Sequence, residues 1–384
     1  MKTLQKIVII YLLINSPLWC QKKLANTKPI LFVPQGFVIT PLSGYGYSNC
    51  IENTVANLNG INPAFISSID QFSVGFSYHL ESKLKESWIA DIHHYRLSNY
   101  IPQSIGTILP MKHFNVGVGF QQHFSSKLDY GKISGTVVDT TSDTGYRETG
   151  SFRPISKTLL TKNSLSFSNS IKHNKNLLHI GIQINHYLLA YQQELINLNG
   201  LSDIYAGYLN EKFTFSKFGF TVGIIYKMSN SKWGLFYDKG FKLREPITND
   251  IYEYEVVGEV PSSLSIGFQH SSNDKLKINF SGNFVFRHDV NYLSNSTLNQ
   301  FDFSANFIIR FNQFTQVSCG IYDINYGKET IGNIYSNFDA TYFTLGFILS
   351  INRLQFDFCI ADSHWLSGEW RKQTIIKLGL GTFI

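Results

Sequence analysis

Large apolar side chains alternate with small or polar ones from about Phe72 to the last residue, in runs separated by short polar stretches. The segment 72–80, FSVGFSYHL, shows the pattern, since every second residue from Phe72 to Leu80 is bulky and apolar. In a β-strand, successive side chains point to opposite faces of the sheet. The alternation therefore predicts strands with one continuous apolar face.

A long series of such strands without covering helices needs an apolar surrounding for that face. A closed antiparallel barrel in a lipid bilayer meets this need, because closure also pairs every backbone group. The segment Trp88–Leu97 is ambiguous between strand and loop. We predict an all-β, about 14-stranded antiparallel transmembrane barrel, with strands at 72–80, 104–110, 114–124, 163–172, 177–191, 218–227, 232–243, 262–270, 275–287, 301–311, 315–324, 341–351, 353–362 and 373–384.

The connections between these strands fall into two length classes. Short connections are 110–113, 227–232, 271–275, 312–315 and 352–353, and long ones are 125–162, 192–217, 244–261, 288–300 and 325–340. Outer-membrane barrels have short periplasmic turns and long extracellular loops. The division into short and long connections therefore favours a bacterial outer-membrane barrel over a soluble β-sandwich.

The first residues resemble an export signal. Lys2 and Lys6 precede the apolar run Ile7–Ile14, which is too short to cross a membrane as a helix. We expect cleavage after Cys20; a lipoprotein signal ending at Cys20 is the alternative. This predicts a signal peptide at 1–20 and a bacterial outer-membrane location.

Residues 21–70 differ from the rest of the chain, because they alternate little and contain several prolines. An irregular segment at membrane depth is tolerated where it is buried in protein or meets water in a lumen. We therefore predict a plug at 21–70 inside the lumen of a barrel formed by 71–384.

Composition narrows the function classes. Aromatic residues make up 15% and charged residues 16% of the 384 residues, whereas soluble domains carry about 25% charged residues. The mean hydropathy of −0.07 excludes a helical membrane protein. No basic stripe or RNA-reading motif is present, which argues against nucleic-acid binding. We expect no cofactor.

The mature chain would keep three cysteines, Cys50, Cys319 and Cys359, without metal-type spacing. In the alternating pattern, Cys319 lies on the same strand face as its apolar neighbours, whereas Cys359 lies on the face opposite to the apolar side chains around it. We therefore expect the two thiols to face opposite sides of the barrel wall, and we expect no disulfide and no metal site.

The segment 60–76, GINPAFISSIDQFSVGF, is similar to the start of the barrel in FadL-type outer-membrane transporters of long-chain fatty acids and other hydrophobic compounds. In that family an NPA tripeptide, here Asn62, Pro63 and Ala64, closes an N-terminal hatch just before the first strand. The stretches 100–110 and 115–119 resemble the second and third strands of the family, and 219–237, 260–280 and 316–347 resemble later strands.

This resemblance implies passive uptake of a hydrophobic small molecule, such as a long-chain fatty acid or a hydrocarbon. In the family, a kink in the third strand opens the wall sideways; Gly117 and Gly119 would permit such a bend, or they would merely relieve crowding. The family also has a long helical loop pair, whereas only Gln192–Asn199 is a helix candidate here. The implied partners are the ligand, outer-membrane lipids or lipopolysaccharide, and the barrel assembly machinery.

Two other functions stay open at this point. Components of the type IX secretion or gliding apparatus, of the PorP/SprF and PorV types, are also outer-membrane barrels with an NPA near the N-terminus, so a scaffold is the alternative to a transporter. The sequence His270-Ser271-Ser272-Asn273 resembles an outer-membrane lipase motif, but it falls on a predicted periplasmic turn. We expect no catalytic residues. Asn62 either ties plug to wall, capping a turn, or contacts ligand.

Overall fold

The computed structural model describes residues 26–31, 42–47, 50–57, 62–81, 93–95, 102–129, 132–138, 147–199, 211–248, 253–286, 300–325, 328–331, 334–337, 340–366 and 373–384. The predicted signal peptide, 1–20, lies outside these residues. The described chain is nearly all β-structure, with short 3-10 helices at Val55–Asn57 and Pro63–Ser68. No helix in these ranges is long and apolar enough to cross a membrane.

Fourteen strands form a closed antiparallel barrel, which confirms the predicted fold. In order around the wall they are β4 (Ser73–Glu81), β6 (Ser104–Pro110), β7 (Asn115–Asp129), β9 (Arg147–His173), β10 (Asn176–Asn199), β11 (Glu211–Lys227), β12 (Ser231–Lys239), β15 (Ser262–Ser271), β16 (Leu276–Phe286), β17 (Gln300–Arg310), β18 (Thr315–Asn325), β21 (Ala340–Ile351), β22 (Leu354–Asp362) and β23 (Thr374–Phe383).

Two strand pairings complete the ring. The last strand, β23, pairs with β4, with Leu378 opposite Tyr78. The third strand, β7, pairs with β9 along its whole length. The remaining strands lie outside the ring order: β1 (Asn26–Leu31), β2 (Leu42–Ser43), β3 (Gly46–Tyr47), β5 (His93–Tyr95), β8 (Ile133–Val138), β13 (Phe241–Thr248), β14 (Glu253–Val260), β19 (Lys328–Ile331) and β20 (Ile334–Asn337).

Period-two alternation separates the two faces of the wall. In β17, Phe301, Phe303 and Phe307 are exposed on the outside, whereas Asp302 and Asn306 are buried on the inside. The length of β17, 11 residues, matches the roughly 9–11 residues that a tilted strand needs to cross a bilayer. A closed barrel with an apolar outer face is a transmembrane barrel, and it locates the protein in a bacterial outer membrane.

The short turns gather at one end of the barrel, as the sequence predicts. Two of them carry an asparagine in the left-handed region, Asn174 with φ 55° and Asn352 with φ 53°. Asparagine tolerates this conformation better than most residues. The tightest connections therefore mark the periplasmic end.

Strands extend farther toward the long-loop end than the alternation predicts. β9 has 27 residues and β10 has 24, and they pair with each other over most of that length. The expectation of a helix at Gln192–Asn199 is wrong. This segment continues β10, because its backbone groups form hydrogen bonds with the adjacent part of β9. Much of the predicted loops 125–162 and 192–217 is thus wall.

The prediction of one strand over 232–243 is wrong at its C-terminal end, because the observed strand stops before Gly240. A Cβ there would lie 1.8 Å from the carbonyl oxygen of Val260, where the chain leaves and re-enters the barrel. The expected loop 244–261 is mostly the hairpin β13–β14, which joins β1 in a separate three-stranded sheet. Leu243 and Val256 of this hairpin are buried.

The strand register confirms that Cys319 and Cys359 face opposite sides of the barrel wall. Cys319 lies opposite Leu345, which is exposed on the outside, whereas Cys359 lies opposite Gly346, which faces the lumen. Cys50, Cys319 and Cys359 are all free thiols.

Candidate functional site

The periplasmic half of the lumen contains residues from the N-terminal part of the chain. We call Leu42–Tyr47, Cys50–Asn57 and Asn62–Ile69 the lumen segment. Most of its side chains are buried, and they contact inward-facing residues around the barrel. The backbone of the lumen segment receives hydrogen bonds from wall side chains, namely from Ser318 to Gly44 O (2.8 Å), Asn306 to Tyr47 O (2.8 Å), Ser104 to Ala56 O (3.0 Å) and Asn115 to Ile66 O (2.8 Å) and Ile69 O (2.7 Å).

Asn62, the first residue of the NPA tripeptide, links the lumen segment to the wall. Its Oδ1 accepts a hydrogen bond from the backbone N–H of Ala64 (3.0 Å) and caps the 3-10 helix that Pro63 begins. Its Nδ2 lies 3.0 Å from the carbonyl oxygens of Cys50 and Ile224. Asn62 therefore has hydrogen-bond partners both in the lumen segment and in the wall.

Inward-facing glycines make room for the tripeptide. A Cβ at Gly181 of β10 would lie 2.4 Å from Ala64 N, and one at Gly223 of β11 would lie 1.9 Å from Asn62 Oδ1. The two glycines are directly paired across the strands. The backbone of the wall thus touches the tripeptide itself. This function of the two glycines is not evident from the alternation of apolar residues alone, although a glycine within a strand can signal a close approach of another backbone.

Two buried acidic groups complete the docking. The carboxylate of Asp357, on β22, accepts hydrogen bonds from Thr54 Oγ1 and from Gly44 N. Glu52, in the lumen segment, lies 2.6 Å from Lys232 Nζ and 3.2 Å from Lys277 Nζ. Hydrogen bonds to charged partners contribute about 1.5–3 kcal/mol each, so these groups hold the segment against opposite sides of the wall.

The charge environment of Glu52 gives docking a pH dependence. Burial alone would raise the pKa of Glu52, but the ammonium groups of Lys232 and Lys277 outweigh it and lower the pKa from 4.5 to about 2. A carboxyl group whose pKa falls on docking stabilises the docked state above its ordinary pKa and loses that contribution as the pH falls toward the lowered value.

We expect the lumen segment to stay docked from neutral pH down to about pH 5 and to loosen between pH 4.5 and 2. Hydrogen exchange of residues 50–57, corrected for intrinsic rates, measures this. Glu52→Gln should loosen docking by about 1–3 kcal/mol at pH 7 and should flatten the pH profile. An unchanged profile in Glu52→Gln would contradict the assignment.

The third strand is irregular, but the irregularity does not lie at its glycines. Gly117 and Gly119 belong to a regular ladder with β6 and β9. A Cβ at Gly117 would lie 3.2 Å from Ile66 Cδ1, so this glycine relieves crowding against the lumen segment. The register shifts instead between Gln122 and Phe124, which leaves His123 as an extra residue in a β-bulge.

An apolar groove of about 590 Å³ lies on the outer face of the wall next to this bulge. Its sides are exposed apolar residues, including Ile105, Val118 and Leu165. Gly106 and Gly119 also line it and pair with each other, so the wall has no side chain at these two positions. Side chains are therefore missing from the wall between the groove and the lumen at this pair.

Above the lumen segment, on the long-loop side, the lumen contains a continuous apolar cluster. Inward residues of the long strands pack there against the β13–β14 hairpin; Tyr187 and Phe241 have ring centroids 5.1 Å apart. The cluster includes Phe124, Leu160, Tyr187, Leu189, Tyr191, Leu243, Val256 and Val260, and it reaches the lumen segment through Leu42 and Tyr47.

In the lipase-like sequence His270-Ser271-Ser272-Asn273, the asparagine has a structural role. Asn273 Oδ1 accepts hydrogen bonds from the backbone N–H groups of Lys275 and Leu276, so it stabilises the turn after His270. Within the described ranges, no group of three or more His, Cys, Asp or Glu side chains is arranged to hold a metal ion.

Comparison with known proteins identifies the fold. No protein-family model and no curated protein matches the chain. Among solved structures, the toluene transporter TodX of P. putida is 14% identical with a TM-score of 0.57, over 89% of this chain and 97% of that one. A Pseudomonas aeruginosa FadL homologue is 10% identical with a TM-score of 0.57, over 90% and 99%. The monoaromatic hydrocarbon channel CymD is 13% identical with a TM-score of 0.55, over 90% and 98%. The chain has the fold of FadL-type outer-membrane channels.

Proposed function

We propose that this protein is a passive outer-membrane channel for hydrophobic small molecules, such as long-chain fatty acids or hydrocarbons, and that residues 21–70 form its plug. The observation that carries the proposal is the division of the lumen. The periplasmic half contains a segment bound by hydrogen bonds and ion pairs, whereas the other half presents an apolar cluster. A polar solute would gain no favourable interaction from that apolar cluster, so an open porin is disfavoured.

A sideways exit is part of this proposal. The apolar cluster includes Phe124, which follows the bulge at His123 directly. On the other side of the wall, the outer groove offers an apolar surface to the bilayer. A hydrophobic molecule moving between these two surfaces would avoid the plug. The third-strand glycines Gly117 and Gly119 would then border the exit, and the tripeptide Asn62-Pro63-Ala64 would anchor the plug below it.

Uptake by cells tests the proposal. A Gram-negative strain without its own FadL-type channels is expected to gain uptake of radiolabelled oleate or toluene when it expresses this protein, and to gain none for a sugar of similar mass. Heat-modifiable migration of the protein in outer-membrane fractions serves as the folding control. Sugar uptake would indicate a porin, and the absence of any uptake would favour the secretion-apparatus scaffold.

A further inference from the structure

The lumen opens to the periplasm at the short-turn end of the barrel, and basic side chains lie on the inner face of this mouth. Lys172 of β9 and Lys227 of β11 both pair with Leu177, which lies between them on β10. Lys227 also pairs with Lys232 of β12. Directly paired residues share one face of a sheet, and Lys227 has the inward parity of Gly223, which contacts the lumen segment. Three lysines therefore form one row across four neighbouring strands.

Two more cations continue this series around the mouth. Lys277 of β16 pairs with Ile308, which is buried on the inner face, and Arg310 is the next inward residue along β17. The strands from β9 to β17 are seven neighbours in the ring of fourteen, so basic side chains follow about half of the mouth. We call Lys172, Lys227, Lys232, Lys277 and Arg310 the cationic arc.

The cationic arc carries more positive charge than the nearby carboxylates neutralise. Lys232 and Lys277 share a single partner, Glu52, at 2.6 Å and 3.2 Å. The other three members are exposed and make no ion pair within 4.0 Å with any described residue. In the described part of the chain, Asp70 and Asp274 are the exposed acidic side chains at this end. The mouth thus presents an excess of positive charge to the periplasm.

The direction of these side chains indicates which kind of molecule they meet. Ile171, Trp233 and Phe311 are each next to a member of the arc in the sequence, and all three are exposed on the outer face. The membrane-facing side of the rim is therefore apolar at these positions, whereas the cations have the opposite parity. The cationic arc faces the water of the mouth and the lumen segment, so a soluble anionic partner fits it better than phospholipid head groups do.

The spacing of the row fits the carboxylates of a peptide chain. Neighbouring strands lie about 4.7–4.9 Å apart, so Lys227 is separated by about 5 Å from Lys232 and by about 10 Å from Lys172 along the row. Side chains on one face of an extended peptide recur about every 6.6–6.8 Å, and those on one face of a helix about every 5–6 Å. Long lysine side chains can adjust to either spacing.

We propose that the cationic arc docks an acidic segment of a soluble periplasmic protein. A peptide segment can enter the mouth and follow the inner rim, whereas a cross-linked peptidoglycan layer stays outside it. Because Lys232 and Lys277 also bind Glu52, the docked segment would lie next to the lumen segment. The inference does not depend on which molecule the channel carries.

Binding of two peptides that differ only in charge tests the cationic arc. Purified full-length protein in an uncharged detergent is titrated with a fluorescein-labelled peptide of alternating glutamate and alanine, and with the same peptide carrying glutamine in place of glutamate. We expect the acidic peptide to bind at least about tenfold more tightly at about 50 mM salt and to lose this preference at about 500 mM, because salt screens exposed charges.

A pair of double variants separates the arc from the net charge of the protein. Lys172→Gln combined with Lys227→Gln should weaken binding of the acidic peptide about fivefold or more. Lys112→Gln combined with Arg353→Gln removes the same charge from two exposed turns outside the arc and should leave binding nearly unchanged. Heat-modifiable migration verifies that both double variants fold.

Three results would overturn the inference. Equal affinity of the wild type for both peptides would exclude recognition of carboxylates, and an equal loss of binding in the two double variants would assign the effect to net charge. The third result is binding of peptidoglycan sacculi or of phosphatidylglycerol vesicles that the arc variant loses, in the absence of peptide binding, since it would assign the cations to the cell wall or to lipid.

Discussion

Replacing Gly181 by alanine is expected to undock the lumen segment while the barrel still folds. The new Cβ would lie 2.4 Å from Ala64 N and from Pro63 C, and 2.6 Å from Pro63 O. These are backbone atoms, so a rotamer change cannot relieve the overlap. Overpacking of this kind costs about 1–3 kcal/mol, and displacing the tripeptide would also break the hydrogen bonds of Asn62 to the wall. The strand itself tolerates alanine better than glycine.

Single-channel conductance in planar bilayers and hydrogen exchange of residues 62–70 measure this effect. Gly181→Ala should show faster exchange and long-lived open events, and cells expressing it should become sensitive to large hydrophilic antibiotics. Gly117→Ala is the matched control, because the atom nearest to its Cβ would be the flexible end of Ile66 at 3.2 Å, and its other neighbours would lie at ordinary contact distances. Equal conductance and exchange in both variants would contradict the docking geometry.

The sequence predicts the wall well because the wall obeys a local rule. In β17 and β22, parity alone determines which side chains face lipid, and the predicted strands agree with the observed ones to within a residue or so at each end. The same rule places Cys319 and Cys359 on opposite faces. The face to which each side chain points follows from the alternation within its own strand. A single sequence is therefore sufficient to predict it, even when the partner strand is not known.

The lumen was harder to predict because its contacts are long-range. The hydrogen bonds of Asn62 reach residues more than 160 positions away, Ile224 and Leu235. The sequence contains no signal that the β13–β14 hairpin folds over the cluster, and it predicts a loop for most of this stretch, 244–261.

Deleting His123 is expected to abolish the uptake of hydrophobic molecules without unfolding the barrel. His123 is the extra residue of the bulge, and the flanking pairs, Gln122 with Thr161 and Phe124 with Leu160, already lie one step apart on β9. Deletion would therefore join them into a regular ladder and would shift no other pair. The inward and outward faces of β7 would stay as they are, because the deleted residue is the one that interrupts the alternation.

A regular ladder would close the wall between the apolar cluster and the outer groove, so a sideways exit at the bulge predicts a loss of oleate or toluene uptake to the level of cells without the channel. His123→Ala is the matched control: it removes the ring that packs at 5.7 Å from Tyr187 but keeps the extra residue, and it should retain most of the uptake. Heat-modifiable migration verifies that both variants fold. If the deletion variant transports as well as the wild type, molecules leave the barrel elsewhere. A loss of uptake in both variants would assign the effect to the imidazole ring rather than to the bulge.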